Sequence, residues 1–230
     1  MIRYGEQVVP GGFLIVIEGI DGAGKTTQAD CLYGELCSRG LDVSRSKEPT
    51  NGQYGTLLRE SSQNGRLDLE TELELFLKDR REHVESLIRP TLDRDAIVIL
   101  DRYYLSSIAY QGCHGGDEAE IRRLNEEFAP IPDLAIILDV DPKIGVARIC
   151  NRDGQQNHFE DEAYLRCCRE SFKRMPSKKV VIVDSSQSIE AISKEILTLF
   201  SRYAANKIAK AGGFTGENVE KTRLLVYGAD

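Results

Sequence analysis

No stretch of the 230-residue sequence approaches the ~18 consecutive apolar residues that a membrane-spanning helix needs. The opening residues, MIRYGEQVVPGG, contain no apolar core of the kind a secretory signal carries. Among the cysteines Cys31, Cys37, Cys113, Cys150, Cys167 and Cys168 there is no C-x-x-C pair and no zinc spacing, which sets aside the common structural zinc sites. Cys167 and Cys168 are neighbours, poor geometry for a mutual disulfide, so reduced thiols packed as small hydrophobes are expected, and with them a cytoplasmic location. An excess of positive charge is missing too: 30 Lys+Arg stand against 37 Asp+Glu, for a net charge of −7. Neither a nucleic-acid backbone nor an anionic membrane is therefore expected as the main partner, although a local basic pocket for a small anion stays open. Internal repeats and low-complexity stretches are absent as well.

What the chain does contain is an alternation. Four apolar, β-branched runs have strand length: 13–18 (FLIVIE), 96–101 (AIVILD), 133–140 (DLAIILDV) and 179–184 (KVVIVD), with a weaker one at 41–49. Helical periodicity lies between them, over 26–40, 71–88, 117–129, 142–152, 162–175 and 188–206; Gly40 and Pro90 mark two of the ends. Strands alternating with helices predict an α/β fold, a parallel sheet covered on both faces, with ligands bound beyond the carboxyl ends of the strands. One domain is expected over 1–206, with a loosely attached tail over 207–230 in which LLVY is the one strand-like piece.

Directly after the first strand stands Gly19-Ile20-Asp21-Gly22-Ala23-Gly24-Lys25-Thr26, which fits G-x-x-x-x-G-K-[ST] in its required strand, loop and helix context. Glycines let successive backbone N–H groups converge on phosphate oxygens, and the helix opening at Thr26 and Thr27 adds its positive end. Lys25 would reach the β and γ phosphates and the Thr26 hydroxyl would bind Mg²⁺. Asp101, closing AIVILD, stands where a second acid steers that ion; a salt bridge to Arg102 is a compatible reading. The N-K-x-D segment of a GTPase is missing, as is the second signature loop of a transporter-type ATPase.

The sequence DRYYLSSIAYQG at 101–112 crowds an arginine, serines, tyrosines and a glutamine at the exit of a buried strand. Together with EGIDGAGKTTQ, KEPT, ELELFLKDRREHV and a later RICNR…HFE, in that order, it resembles the thymidylate kinase family over roughly residues 13–200. The resemblance implies a three-layer P-loop kinase fold with a five-stranded parallel sheet and a lid near 148–160. It also implies phosphoryl transfer from ATP to dTMP with Mg²⁺, and a homodimer. Phe76 and Arg80 share a helical face; on spacing alone they read as a core ring beside a surface arginine, whereas the resemblance makes them the stacking ring and the donor to the base. It likewise implies that Arg102 grips the acceptor phosphate, that Ser106 or Ser107 meets the base edge, and that Tyr110 crowds the sugar 2′ position. Gln111, Glu48 and Pro49 join that wall, and Asp21 and Glu160 approach the acceptor 3′-hydroxyl.

The phosphate loop has no basic residue between its glycines, so Arg148 and Arg152, four apart at the entry to the lid, are expected to supply the extra charge. Three features depart from the family pattern: Lys47 in place of an arginine, with Arg59 as a compensating candidate; a lid poor in arginine; and Thr50-Asn51-Gly52 in place of a glycine-rich turn. They leave two alternatives open, a monophosphate kinase of another base preference and a nucleotide-binding protein without turnover.

Overall fold

A computed structural model describes residues 9–153, 161–175 and 177–212. Five strands, β1 (Phe13–Gly19), β2 (Val43–Lys47), β3 (Ile97–Asp101), β4 (Leu134–Asp139) and β5 (Val180–Asp184), form one parallel sheet in the order β2-β3-β1-β4-β5. Every residue of β1 and β3 is buried, so side chains pointing to either face are covered, which makes the architecture three-layered. The edge strands β2 and β5 are only half buried. That position explains why 41–49 carries the weakest strand pattern in the sequence.

The helices are α1 (Lys25–Ser38), α2 (Gln53–Asn64), α3 (Leu69–His83), α4 (Arg89–Leu92), α5 (Tyr104–Cys113), α6 (Glu118–Glu126), α7 (Pro142–Asp153), α8 (Glu162–Lys173) and α9 (Ile189–Gly212). One group pairs α1 with α9, where Phe200 packs edge-on against Phe13 of β1 at 5.2 Å between ring centroids. A second group surrounds α5, which touches α3, α6 and α8. Among the described residues no helix is long and apolar enough to cross a membrane.

Several expectations change. Pro90 does not follow a helix end. The chain passes from α3 through a π-helical turn, Val84–Ile88, into α4, with Pro90 in its first turn. A proline lacks an N–H and pushes away the carbonyl four residues back, and a widened turn absorbs both effects. The strand exit DRYYLSSIAYQG is largely helix α5, and α2 has no counterpart among the expected helices. The final helix runs six residues past 206, to Gly212; the LLVY segment lies outside the described residues, as do lid residues 154–160.

The reduced-thiol expectation is corrected for one pair. Cys113 at the end of α5 and Cys167 on α8 are joined in a disulfide, with Cα atoms 6.0 Å apart. Packing of α5 on α8 brings together residues separated by 54 positions, which no local spacing announces. Cys31, Cys37, Cys150 and Cys168 are free, as expected.

Candidate active site

The turn from β1 to α1 begins with a backbone that only glycine tolerates. Gly24 has φ +89°, in the left-handed region, and caps α1 without any side-chain hydrogen bond, so the first-turn N–H groups of α1 are open to an anion. At Gly22 a Cβ would lie 2.2 Å from the Gly145 carbonyl oxygen, so the loop abuts α7 backbone to backbone. Lys25 curls back and donates from Nζ to the Ile20 carbonyl at 2.7 Å. Burial, with Arg102 adding, pushes its pKa down to about 8. The Thr26 hydroxyl donates to Asp101 Oδ2 at 2.5 Å, which joins the start of α1 to the end of β3. A hydroxyl and a single carboxylate are hard oxygen donors of the kind Mg²⁺ takes when phosphates supply further ligands. Among the described residues no cluster of three or more His, Cys, Asp or Glu side chains is built to hold a metal by itself.

Arg102 follows Asp101 with φ +70°, a left-handed backbone that a non-glycine residue keeps only when its surroundings enforce it. Its guanidinium bonds to Asp21, reaches Ser106 Oγ at 3.2 Å and stacks 5.1 Å from the Tyr110 ring centroid. Tyr110 donates its hydroxyl to Asp21 Oδ2 at 2.9 Å and accepts from the Asp21 backbone N–H at 3.0 Å. Burial alone would raise the Asp21 pKa, but Arg102 and Lys25 outweigh it and hold the carboxyl below its usual range.

Arg80, 1% exposed, is among the largest fully buried side chains. It donates to Glu48 Oε2 at 2.7 Å, to Ser107 Oγ at 3.1 Å and to Asn125 Oδ1. His83 completes the set through Glu48 Oε1 at 3.0 Å and Ser46 Oγ at 2.8 Å. Thr50, in place of a turn glycine, is tied to Asp79 through its N–H at 2.8 Å and its hydroxyl at 2.6 Å. Arg59 holds the same loop by donating to the Pro49 and Thr50 carbonyls. Gln111 donates through Nε2 to the buried Glu72 at 2.7 Å, and Glu72 is gripped from its other side by the Arg66 fork. That orientation leaves Gln111 Oε1 buried with no hydrogen-bond partner among the described residues.

Two adjoining cavities lie over the strand ends. One, of about 170 Å³, is walled by Phe76, Arg80, Tyr103, Ser106, Ser107, Tyr110 and Gln111. The other, of about 340 Å³, is lined by Gly22, Gly24, Lys25, Thr26, Thr27, Asp101 and Arg148. Asp21, Glu48, Pro49, Arg59 and Arg102 belong to both.

A family profile described as thymidylate kinase matches residues 17–196. The chain is 44% identical over 216 residues to a thymidylate kinase of Xylella fastidiosa (strain M12), covering 93% of this chain and 98% of that protein. A thymidylate kinase of Akkermansia muciniphila is 47% identical over 185 residues, 80% of this chain and 89% of its own. The chain belongs to the thymidylate kinase family.

Against that family membership the candidate residues divide. Asp21, Glu48, Pro49, Phe76, Arg80, Arg102, Ser106, Ser107, Tyr110 and Gln111 all line the first cavity. Gly19 stands just beneath, its carbonyl 3.5 Å from Arg102 Nη1, and Ala23 turns to a third cavity of about 240 Å³ with Thr27, Gln28, Ser185, Gln187 and Ile189. Arg148 does not reach the first cavity; it donates to the Gly22 and Ser185 carbonyls and separates the second cavity from the third. Arg152 falls on α7 with its side chain outside those described, and Glu160 lies outside the described residues.

Sequence reasoning missed Glu18, Glu72, Asp79 and Asn125, each buried and each holding a site residue or its loop. Glu18 had a visible signal, a lone acid in the otherwise apolar run FLIVIEG. Glu72, Asp79 and Asn125 look like ordinary helix-surface residues until the fold turns them inward.

Proposed function

We propose that this protein transfers the γ-phosphoryl group of ATP to dTMP, giving dTDP and ADP. One observation carries the reading: a cavity with the lining of a phosphate loop and a cavity with an aromatic and amide lining meet along Asp21, Arg59 and Arg102. Phosphoryl transfer asks for in-line approach of two bound groups and for cations where charge gathers, and little covalent chemistry. The junction supplies such a meeting point. ATP phosphates on the Gly22–Thr27 side would face the acceptor phosphate gripped by the Arg102 fork, with Lys25 screening the transferred group.

The base preference rests on Gln111 and Arg80. Gln111 Oε1 lacks a donor among the described residues, which the N3–H of a thymine or uracil would supply and the bare N3 of cytosine would not. Arg80 has N–H groups left over for a carbonyl at O4, and Phe76 offers a ring to stack on. Tyr110 and Asp21, bonded to each other, form the wall assigned to the sugar.

Mg²⁺ belongs to the same reading: the Thr26 hydroxyl and Asp101 carboxylate would hold it, and it would spread the charge of the bound phosphates. Arg148 is assigned to the nucleotide donor, at the border of the phosphate cavity and the Ser185–Gln187 cavity. A homodimer and a cytoplasmic location rest on the family and on the need for ATP and dTMP; a reducing cytoplasm would tend to open the Cys113–Cys167 bond.

The test is ADP release from Mg·ATP with dTMP, dUMP, dCMP, dGMP, dAMP and UMP in turn. Preference for dTMP, with dCMP rejected, is the expected result. Turnover with another monophosphate moves the base assignment elsewhere, and no turnover with any acceptor removes the kinase reading.

A further inference from the structure

We propose that Glu18 is a positioning residue for the acceptor phosphate, acting through the start of α5 to hold Arg102 in its phosphate-gripping pose. The inference rests on the reading that Arg102 binds the phosphate of dTMP.

Glu18 is the next-to-last residue of β1 and is 0% exposed. Its Oε1 accepts the backbone N–H of Tyr103 at 2.9 Å and of Ser106 at 3.3 Å. Its Oε2 accepts the Ser106 hydroxyl at 2.5 Å. Tyr103 is the N-cap of α5 and has no side chain able to cap it, so the acid from the neighbouring strand performs that task. The Ser106 N–H also donates to the Tyr103 carbonyl at 3.1 Å, but without Glu18 the Tyr103 N–H would be left unsatisfied at a buried helix start and the Ser106 hydroxyl would lose its acceptor.

The consequence falls on Arg102. Its own N–H donates to the Ile17 carbonyl at 3.0 Å, and the next N–H, that of Tyr103, goes to Glu18. Adjacent β1 residues thus clamp the peptides on both sides of a residue at φ +70°. The Ser106 hydroxyl, turned toward Glu18, presents its lone pairs to Arg102 Nη1 at 3.2 Å. One carboxylate therefore fixes both the backbone and one edge of the guanidinium, while Asp21 holds the other edge. Burial raises the Glu18 pKa to about 7, a cost that a purely structural cap could avoid by using a neutral residue. Tyr103 and Ser106 also line the acceptor cavity, but Glu18 holds Tyr103 by its backbone N–H and turns the Ser106 hydroxyl toward Arg102, so its influence falls on the phosphate end of the acceptor.

The test compares binding of dTMP and of thymidine, which lacks the phosphate, to the parent and to Glu18→Ala and Glu18→Gln by calorimetry, with KM for both substrates. The loss of charge-assisted positioning predicts dTMP binding weakened about tenfold or more in Glu18→Ala, with thymidine affinity and the KM for ATP unchanged. Gln keeps an oxygen for the two backbone N–H groups but reverses the bond to Ser106, so Glu18→Gln should recover most of the loss, to about two- to fivefold. Equal weakening of dTMP and thymidine, or unchanged affinity for both, overturns the proposal. Should Glu18→Ala not fold, Glu18→Gln decides: a selective loss for dTMP supports the assignment, and no selectivity overturns it. A parent that binds thymidine as tightly as dTMP would instead fault the phosphate role of Arg102 itself.

Discussion

Replacing Arg80 should damage the fold as well as the acceptor site, because its guanidinium neutralises a buried acid. Arg80 and Glu48 have side-chain exposures of 1% and 2% and meet at 2.7 Å. Arg80→Ala leaves Glu48 with His83 as its remaining close partner and strips Asn125 and Ser107 of a donor. Removing one partner of a buried ion pair costs about 3–5 kcal/mol, far more than the pair contributes net, because the other charge stays behind. Domains of this size have total stabilities of about 5–15 kcal/mol, and each lost kcal/mol lowers the Tm by about 2–4 °C. The expected fall is therefore about 6–20 °C. Arg80→Lys keeps a charge for Glu48 but lacks the fork that spans Glu48, Asn125 and Ser107, so it should fall between the two.

The assay is thermal unfolding followed by steady-state kinetics below the lower Tm. The KM for dTMP should rise in both variants and that for ATP should stay near the parent value. A Tm for Arg80→Ala within about 2 °C of the parent would refute the reasoning, because a buried carboxylate cannot lose its guanidinium without cost unless water replaces it. The kinetic loss would then belong to base contact alone.

Lys25→Met should abolish turnover while raising stability by about 1–3 kcal/mol in urea titrations, since the lysine is buried at a cost that already depresses its pKa. Gln111→Leu should lower kcat/KM for dTMP about 10- to 100-fold and narrow the preference over dCMP, measured with the two acceptors side by side. Unaltered discrimination would take Gln111 out of base reading. The stability of Glu18→Gln relative to the parent should depend on pH. The folded carboxyl pKa is raised from 4.5 to about 7 by burial, so the parent loses stability as pH climbs through that window. Paired urea titrations should show the difference moving in the variant's favour by about 3 kcal/mol between those pH values and levelling off above them; a flat difference would mean that Glu18 is not perturbed.

The central strands and the phosphate loop were legible because burial on both faces imposes unbroken apolar runs, and because a glycine loop between strand and helix has few other uses. The same logic failed at α5. Its residues Tyr104–Gln111 are all buried, yet they are rich in hydroxyl and amide groups, so neither the apolar pattern of a core helix nor the polar pattern of a surface one appears. Helix α2 was hidden for the opposite reason, a polar segment interrupted by Gly55 and anchored by Arg59 and the Thr50–Asp79 pair rather than by its own periodicity. That pair also accounts for the departure at Thr50-Asn51-Gly52: an aspartate on α3 supplies, from a distance, the turn bonding that extra glycine would have left to the backbone. The Cys113–Cys167 bond was beyond sequence reading because it depends on where α5 and α8 meet.

A protein of net charge −7 that binds two polyanions is at odds with itself until the acids are located. Every strand of the sheet delivers a carboxylate at or just beyond its carboxyl end, and three of these hold a group of the site: Glu18 the Ser106–Arg102 edge, Glu48 the Arg80 fork, Asp101 the Thr26 hydroxyl. Asp21 adds a fourth, on Arg102. The cations are thus oriented in advance, which lowers the entropy lost when a nucleotide binds, but their charge is partly answered before it arrives. On the proposed reading, a phosphate gains the full Arg102 fork only by displacing Asp21, the one of these four acids whose side chain is as much as 28% exposed. Glu18 is enclosed and bonded to the Tyr103 N–H. The division of labour we propose follows from burial: the sealed acid sets the pose of the arginine, and the accessible acid gives way to the substrate.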